Sequence, residues 1–180
     1  MESTAIIELR HPAAVPAAQV LALHAAFAAR GLPVVHGSSL AGFATLAEWL
    51  AFVDAPAGTR HPQGYDKVAS STFVAWHKAE QRVCGIINIR HELNDFLRQY
   101  GGHIGYSTHP DDWGKGFATR MLALALEKTD ALGIAEVLLT CAPDNAASAA
   151  VIRKNGGVLV EEKVFQGRAV AHYRIARRLP

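Results

Sequence analysis

The segment from His103 to Cys141 constrains the fold of this 180-residue chain more than any other. His103 to about Thr108 reads as a short strand. A loop carrying Gly114 and Gly116 follows it and opens a helix from about Phe117 to Leu132, with Gly133 as its stop. Ala118, Met121, Leu122 and Ala125 recur along that helix at near-ideal spacing, so one of its faces is apolar and has to be buried. Glu136 to Cys141 then reads as a strand again. Strand, one-faced helix and strand in succession commit the chain to the α/β class.

The flanking sequence extends this pattern. Ile6 to Arg10 reads as a strand stopped by Pro12. Pro16 to Arg30 reads as a helix with Val20, Leu23 and Phe27 on one face, ended by Gly31-Leu32-Pro33. A second helix is expected from about Phe43 to Val53, and the segment to Gly64 as an exposed loop. Val68 to Trp76 and Val83 to Arg90 are β-branched and aromatic-rich. Separated by the polar His77 to Gln81, they form an antiparallel hairpin. His91 to Gln99 reads as a polar connection. After Cys141, Asp144 or Asn145 caps a helix from Ala146 to Lys154, which Asn155-Gly156-Gly157 ends. Val158 to Phe165 and Arg168 to Ile175 finish as two strands around Gln166-Gly167. No repeat or linker interrupts the chain, so residues 1–180 are expected to form one domain with a mixed, mostly antiparallel sheet flanked by helices.

Composition removes several functions. Half the residues are apolar and 19% are charged, which excludes a disordered chain. The 18 Lys and Arg against 16 Asp and Glu are scattered without a basic block, so neither nucleic acid nor an anionic membrane is the expected partner. Met1 to Thr4 lacks the cationic patch of a signal peptide. The alanine-rich stretch beyond it is broken by Pro12, Pro16, Gln19 and His24 and does not read as a membrane span. Cys84 and Cys141 lie far apart, which fits a reducing, cytoplasmic setting and no thiolate zinc site. The histidines show no HxxxH or HExxH spacing, so no metal is expected.

The loop before the long helix is where the chemistry concentrates. Free N–H groups and the positive helix end converge there, and glycines let a phosphate approach the backbone. Lys115 adds a charge. A tight strand-to-helix turn that binds nothing is the competing reading. The nucleotide fingerprints are absent: Gly114-Lys115-Gly116 is followed by Phe117-Ala118-Thr119, without a third glycine, and Lys115 sits between the glycines instead of after a four-residue spacer.

Trp113-Gly114-Lys115-Gly116-Phe117-Ala118 resembles the acyl-CoA motif of the GNAT superfamily of N-acetyltransferases, Gln/Arg-x-x-Gly-x-Gly/Ala, with Gly116 and Ala118 on pattern. Asn145 to Ser148, leading to Gly156-Gly157, resembles the family's second hallmark, and element order and spacing agree from about residue 68 onward. Arg90-His91-Glu92-Leu93-Asn94 with Gly101 to Tyr106 is similar to a bacterial branch of predicted acetyltransferases. The resemblance implies a GNAT fold, an N-terminal helical part over about 12–60 and a CoA-binding core over about 68–180. It implies acetyl-CoA as cosubstrate and a primary amine as acceptor, attacked directly in a ternary complex. A homodimer is common in the superfamily.

By the same resemblance, Tyr106, Ser107 and Thr108 pair with the pantetheine arm. Trp113, Gly114, Lys115, Gly116, Phe117, Ala118 and Thr119 surround the pyrophosphate, while Asn145 and Ser148 stand on the other side of the arm. Two positions depart from the family: Trp113 replaces Gln or Arg, and Ile152 stands where many members have a tyrosine that protonates the leaving thiolate. Thr140 stands where some members have a glutamate base. Candidates for the proton chemistry are therefore His103, of a residue type that titrates near neutrality, then Glu92, with Tyr106 or Tyr173 as donor. Against these stand a strand-end histidine bonded to backbone and an exposed charged loop. Asp95 and His109 are weaker candidates of the same kind, and Cys141 reads as a small buried residue in preference to an acyl carrier. A CoA-binding protein of this fold without turnover is the rival function.

Overall fold

The computed structural model describes residues 6–32 and 34–178. Met1 to Thr4 and Pro33, on which two of the expectations above fall, lie outside the described residues.

The N-terminal strand β1 (Ile7–Arg10) is followed by a 3-10 turn and by α1 (Ala17–Ala28). Pro16 stands just outside α1 as its N-cap, with ψ 130°. The second helix, α2 (Leu46–Val53), is shorter than the apolar stripe suggests. Thr45 accepts from the Glu48 N–H and Glu48 reaches back to the Thr45 N–H, a capping box that sets the start three residues beyond Phe43. The hairpin follows as β2 (Ser70–His77) and β3 (Arg82–Arg90), paired from Ser70 opposite Arg90 to His77 opposite Arg82, with the register shifting by one residue between Ala75 and Trp76.

Within the polar connection lies a helix the sequence pattern did not announce, α3 (Asp95–Gln99), capped by the Asn94 side chain on the Leu97 N–H at 2.9 Å. Then come β4 (Ile104–Thr108), α4 (Phe117–Ala131), β5 (Glu136–Cys141), α5 (Ala146–Lys154), β6 (Val158–Phe165) and β7 (Arg168–Ala176), all close to the expected bounds. Gly133, at φ 73°, turns the chain out of α4 in the left-handed conformation that glycine adopts without penalty.

The sheet is divided where a single one was expected. Strands order as β1-β2-β3-β4 in one antiparallel sheet and β5-β7-β6 in another. A bridge from Gly102 to Leu139 and the His103 N–H on the Leu138 carbonyl at 2.7 Å tie the two together at one end. Beyond it no ladder joins β4 to β5 among the described residues, so the two strands separate. Alternation along β3, shifted by one residue at the irregularity opposite Ala75 and Trp76, serves two cores. Cys84, Ile87 and Ile89 face Met121, Leu122 and Ala125 of α4, together with Val137, Ile152 and Tyr173. Val83 and Ile86 face Val20, Leu23 and Phe27 of α1 and Trp49 of α2. The sheet is thus covered on both sides, and the opening between β4 and β5 is the place left for a ligand.

Candidate active site

A cleft of about 1830 Å³ runs along this opening. Tyr106, Ser107 and Thr108 of β4 line one wall, and Asn145 and Ser148 of α5 with Cys141 of β5 line the other. Trp113, Gly114 and Ala118 line its end. These sequence-predicted residues are therefore brought together. Among the described residues β4 pairs only with β3, so its other edge offers unpaired backbone donors and acceptors to the cleft.

Gly114 and Gly116 have φ of 79° and 85°, and no heavy atom stands within 4 Å of where a Cβ would project at either. They make a bare, left-handed approach to α4, whose N-terminus has no side-chain cap; its first backbone bond runs from the Arg120 N–H to the Gly116 carbonyl. The amides of Phe117, Ala118 and Thr119 are thereby left without helical acceptors. Such an end holds an anion well. The Phe117 side chain is buried against His77, and Lys115 donates to the Asp112 carboxylate at 3.0 Å.

This loop is anchored from two sides. Asp112 is buried and accepts from Arg82 of β3 at 2.6 and 2.9 Å. Burial alone raises its pKa, but the bonds from Arg82 and Lys115 outweigh that and hold it below the ordinary carboxylate value. Trp113 explains its departure from the family pattern: its indole donates to the Thr108 carbonyl at 3.1 Å and its ring packs on Phe27. It positions the loop against β4 and α1. Arg30 at the end of α1 completes the clamp by pairing with Asp111.

The structure does not bring His103 or Glu92 to the cleft lining. His103 Nδ1 accepts from the Leu138 N–H at 2.9 Å while its own backbone donates to the Leu138 carbonyl. Its lone pair is thus spent on joining the two sheets. Burial and the neighbouring Arg90 charge push its pKa down to about 4. Glu92 is exposed in the connection before α3.

Two other features were not legible in the sequence. The Tyr106 hydroxyl stands 3.1 Å from the Ser148 hydroxyl, across the cleft from β4 to α5. Ile152, one turn further along the same face of α5, is fully buried and pressed against Gly157. Burial pushes the Tyr106 pKa up to about 12, so the phenol remains a donor at neutral pH. The second feature is His36, in the connection between α1 and α2. It lines the cleft and, among the described residues, makes no side-chain hydrogen bond, whereas His24 is held by Val20 and Ser38. Burial and Arg90 both lower the His36 pKa, so the ring rests neutral, with a ring-nitrogen lone pair that no side-chain hydrogen bond occupies. No group of three or more His, Cys, Asp and Glu that could hold a metal occurs among the described residues. None of the described helices is long and apolar enough to cross a membrane.

Comparison with known proteins agrees with this geometry. The family model of the acetyltransferase (GNAT) domain matches residues 43–158. No curated protein matches the chain. Among solved structures, RimL, a ribosomal L7/L12 alpha-N-protein acetyltransferase in complex with coenzyme A, superposes with a TM-score of 0.62 at 20% identity, covering 95% of this chain and 94% of that one. The ribosomal-protein-S5-alanine acetyltransferase from Vibrio fischeri superposes with a TM-score of 0.50 at 20% identity, over 59% of this chain and 61% of its own, so the match spans less than two thirds of that enzyme. A GNAT-family acetyltransferase from Bacillus anthracis gives 0.50 and 20%, over 58% and 65%. At these identities the structures speak for the fold, and the family match, over more than half of the chain, decides the assignment: this protein belongs to the GNAT acetyltransferase family.

Proposed function

We propose that this protein transfers acetyl from acetyl-CoA to a primary amine by direct attack within a ternary complex. The reading rests on one observation above others: a hydroxyl pair, Tyr106 and Ser148, spans the cleft between the free edge of β4 and the start of α5, where the thioester would lie. The pantetheine arm runs along the edge of Tyr106 to Thr108, as an added strand would. The pyrophosphate sits on the bare N-terminus of α4, and Asn145 and Ser148 close the other side. RimL, the full-length structural neighbour, binds coenzyme A, which supports the same ligand here.

The chemistry then follows. The acceptor enters as an ammonium and gives one proton to the neutral His36 ring, which takes the place that His103 held as expected base. The amine lone pair attacks the thioester carbon, the new C–N bond forms, and the C–S bond breaks. The second nitrogen proton ends on sulfur, while the Tyr106–Ser148 pair donates hydrogen bonds to the developing thiolate. This pair supplies the hydroxyl that Ile152 lacks. Ile152 at the position of the family's tyrosine, taken alone, favours a CoA-binding sensor without turnover, and turnover of two variants separates the two readings. Tyr106→Phe and Ser148→Ala should each lower turnover by about 10²-fold, the scale of a lost charge-stabilising donor, with a much smaller loss of acetyl-CoA affinity. Thiol release and calorimetry read the two quantities. Unchanged turnover in both variants contradicts the assignment.

A further inference from the structure

The far end of the cleft holds a cation without a counter-ion. Arg90, the last residue of β3, lines the cleft, and its Nη1 donates to the Gly101 and Gly102 carbonyls at 3.1 Å each. Those two bonds use the hydrogens of one terminal nitrogen. The other edge of the guanidinium, Nε and Nη2, has no protein acceptor among the described residues. No carboxylate lies within ion-pair distance of Arg90 among the described residues, and Tyr65 and Tyr100 are its ionisable neighbours that can carry negative charge. Both are phenols, and burial raises the Tyr65 pKa, so Tyr65 supplies no negative charge at neutral pH.

The surroundings offer no compensation. His36, His61 and His103 all have lowered pKa values, with burial as the larger cause and Arg90 the next, so they stay neutral. Lys67, the nearby ammonium on the same cleft, has all three protons engaged by the Phe52, Val53 and Ala55 carbonyls at the end of α2. Arg168 on the rim adds another positive charge, whereas Asp144 lines the cleft on the α5 side. The wall beside Arg90 is aromatic: His61 stacks on Tyr65 at 4.3 Å, Tyr65 on Phe96 at 4.5 Å, and Phe165 packs edge-on to Phe96. An enclosed guanidinium among rings gains more from an anion than one in water. A paired Nε–H and Nη2–H edge matches the two oxygens of a carboxylate.

We infer that the acceptor amine also carries a carboxylate, which docks on the Nε and Nη2 edge of Arg90. The acceptor class is then an amino acid or a peptide with an acidic group near its amine, and polyamines are disfavoured by the unpaired positive charge. This inference rests on the acetyl-transfer reading for the amine and on Arg90 for the acid.

Matched acceptors test it on the full-length protein. Phenylalanine is compared with phenethylamine, and a peptide with an acidic second residue with its amide counterpart, by thiol release from acetyl-CoA. Within at least one pair, the acid should exceed its uncharged partner in kcat/KM by at least tenfold, and which pair does so distinguishes a free amino acid from a peptide. In Arg90→Gln and Arg90→Lys that ratio should fall toward one. A ratio at or below one in the parent protein for both pairs, or a ratio that survives in Arg90→Gln, overturns the inference. Calorimetry of N-acetylphenylalanine against N-acetylphenethylamine, with and without CoA, probes the same contact without turnover. The acid should bind at least tenfold more weakly to both folded variants than to the parent, and equal binding overturns the inference. If CoA itself fails to bind, or no amine releases thiol while the acid still depends on Arg90, the acetyl-transfer reading fails and the anion site stands.

Discussion

Replacing Asp112 by asparagine should damage stability and cofactor binding together, because one buried carboxylate serves both. Its side chain is 0% exposed and it receives two hydrogen bonds from Arg82, at 2.6 and 2.9 Å, and one from Lys115 at 3.0 Å. Breaking one half of a buried pair costs about 3–5 kcal/mol, since the partner charge is left behind without compensation. Arg82, however, is 26% exposed at its side chain and keeps Glu80 as a second partner. That places the expected loss lower, at about 2–3 kcal/mol, the scale of a strong charged hydrogen bond lost together with screening of the remainder. Urea denaturation should show a lowered midpoint with an unchanged slope. Coenzyme A should bind more weakly to the folded variant, because the Asp112 bonds tie Gly114 and Gly116 to β3. In Arg82→Met/Asp112→Asn the two losses should not add, since the second substitution removes a charge the first has already orphaned. The linkage sign follows from the lowered pKa. Asp112 contributes its stability above the unfolded value near 3.9, and that contribution disappears as pH falls through its lower folded value. A loss below about 1 kcal/mol would show that the pair behaves like a surface ion pair, and the anchoring argument would be refuted.

Gly116→Asp places a carboxylate beside the bare amides of α4 and forces an L residue to φ 85°, so acetyl-CoA affinity should fall at least tenfold, about 1.4 kcal/mol, in calorimetry of the folded variant. Unchanged affinity rejects the pyrophosphate site. Cys141 lines the cleft on the Ser148 side and burial raises its thiol pKa, so CoA disulfide should exchange with it to give a Cys141–CoA mixed disulfide and free CoA, faster as pH rises; mass spectrometry detects the adduct, and Cys141→Ser should abolish it. His36→Gln should cost about 10²–10⁴ in turnover and remove the acidic limb of the pH–rate profile, which lies below the usual histidine value, whereas equal losses of turnover and stability would mark a structural residue. His103→Gln should instead flatten the stability profile. His103 contributes above its unfolded value near 6.5 and the contribution is lost as pH falls through about 4, so thermal melts across that window read it.

Local signals carried most of the secondary structure. The stripe of α4, the glycine stop at Gly133, the Asn145 cap and the strands β5 and β6 were all legible because each depends on neighbours within a few residues. α3 was not, since five residues complete little more than one turn and cannot display a period. The late start of α2 came from a capping box at Thr45 and Glu48 that an apolar stripe beginning at Phe43 outweighed in reading. The glycine loop and Asn145, proposed here to hold the cofactor, were legible because they are contiguous motifs. The acceptor side was not. Whether Tyr106 meets Ser148, 42 residues on, depends on how far β4 and β5 separate, and whether His36 lines the cleft depends on the path of a loop. His103 shows the limit most clearly. Its place beside the motif suggested chemistry, but the ring nitrogen that a base needs is the one that joins the two sheets.

The central claim is acetyl transfer to an amine, and the most direct measurement is thiol release from acetyl-CoA by the purified protein across an amine panel, with mass spectrometry of the products. At least one amine should accelerate thiol release well above background hydrolysis and yield its N-acetyl derivative in equal amount. Binding of acetyl-CoA with no amine-dependent thiol release anywhere in the panel, acidic amines included, would contradict that claim and leave a CoA-binding protein in its place.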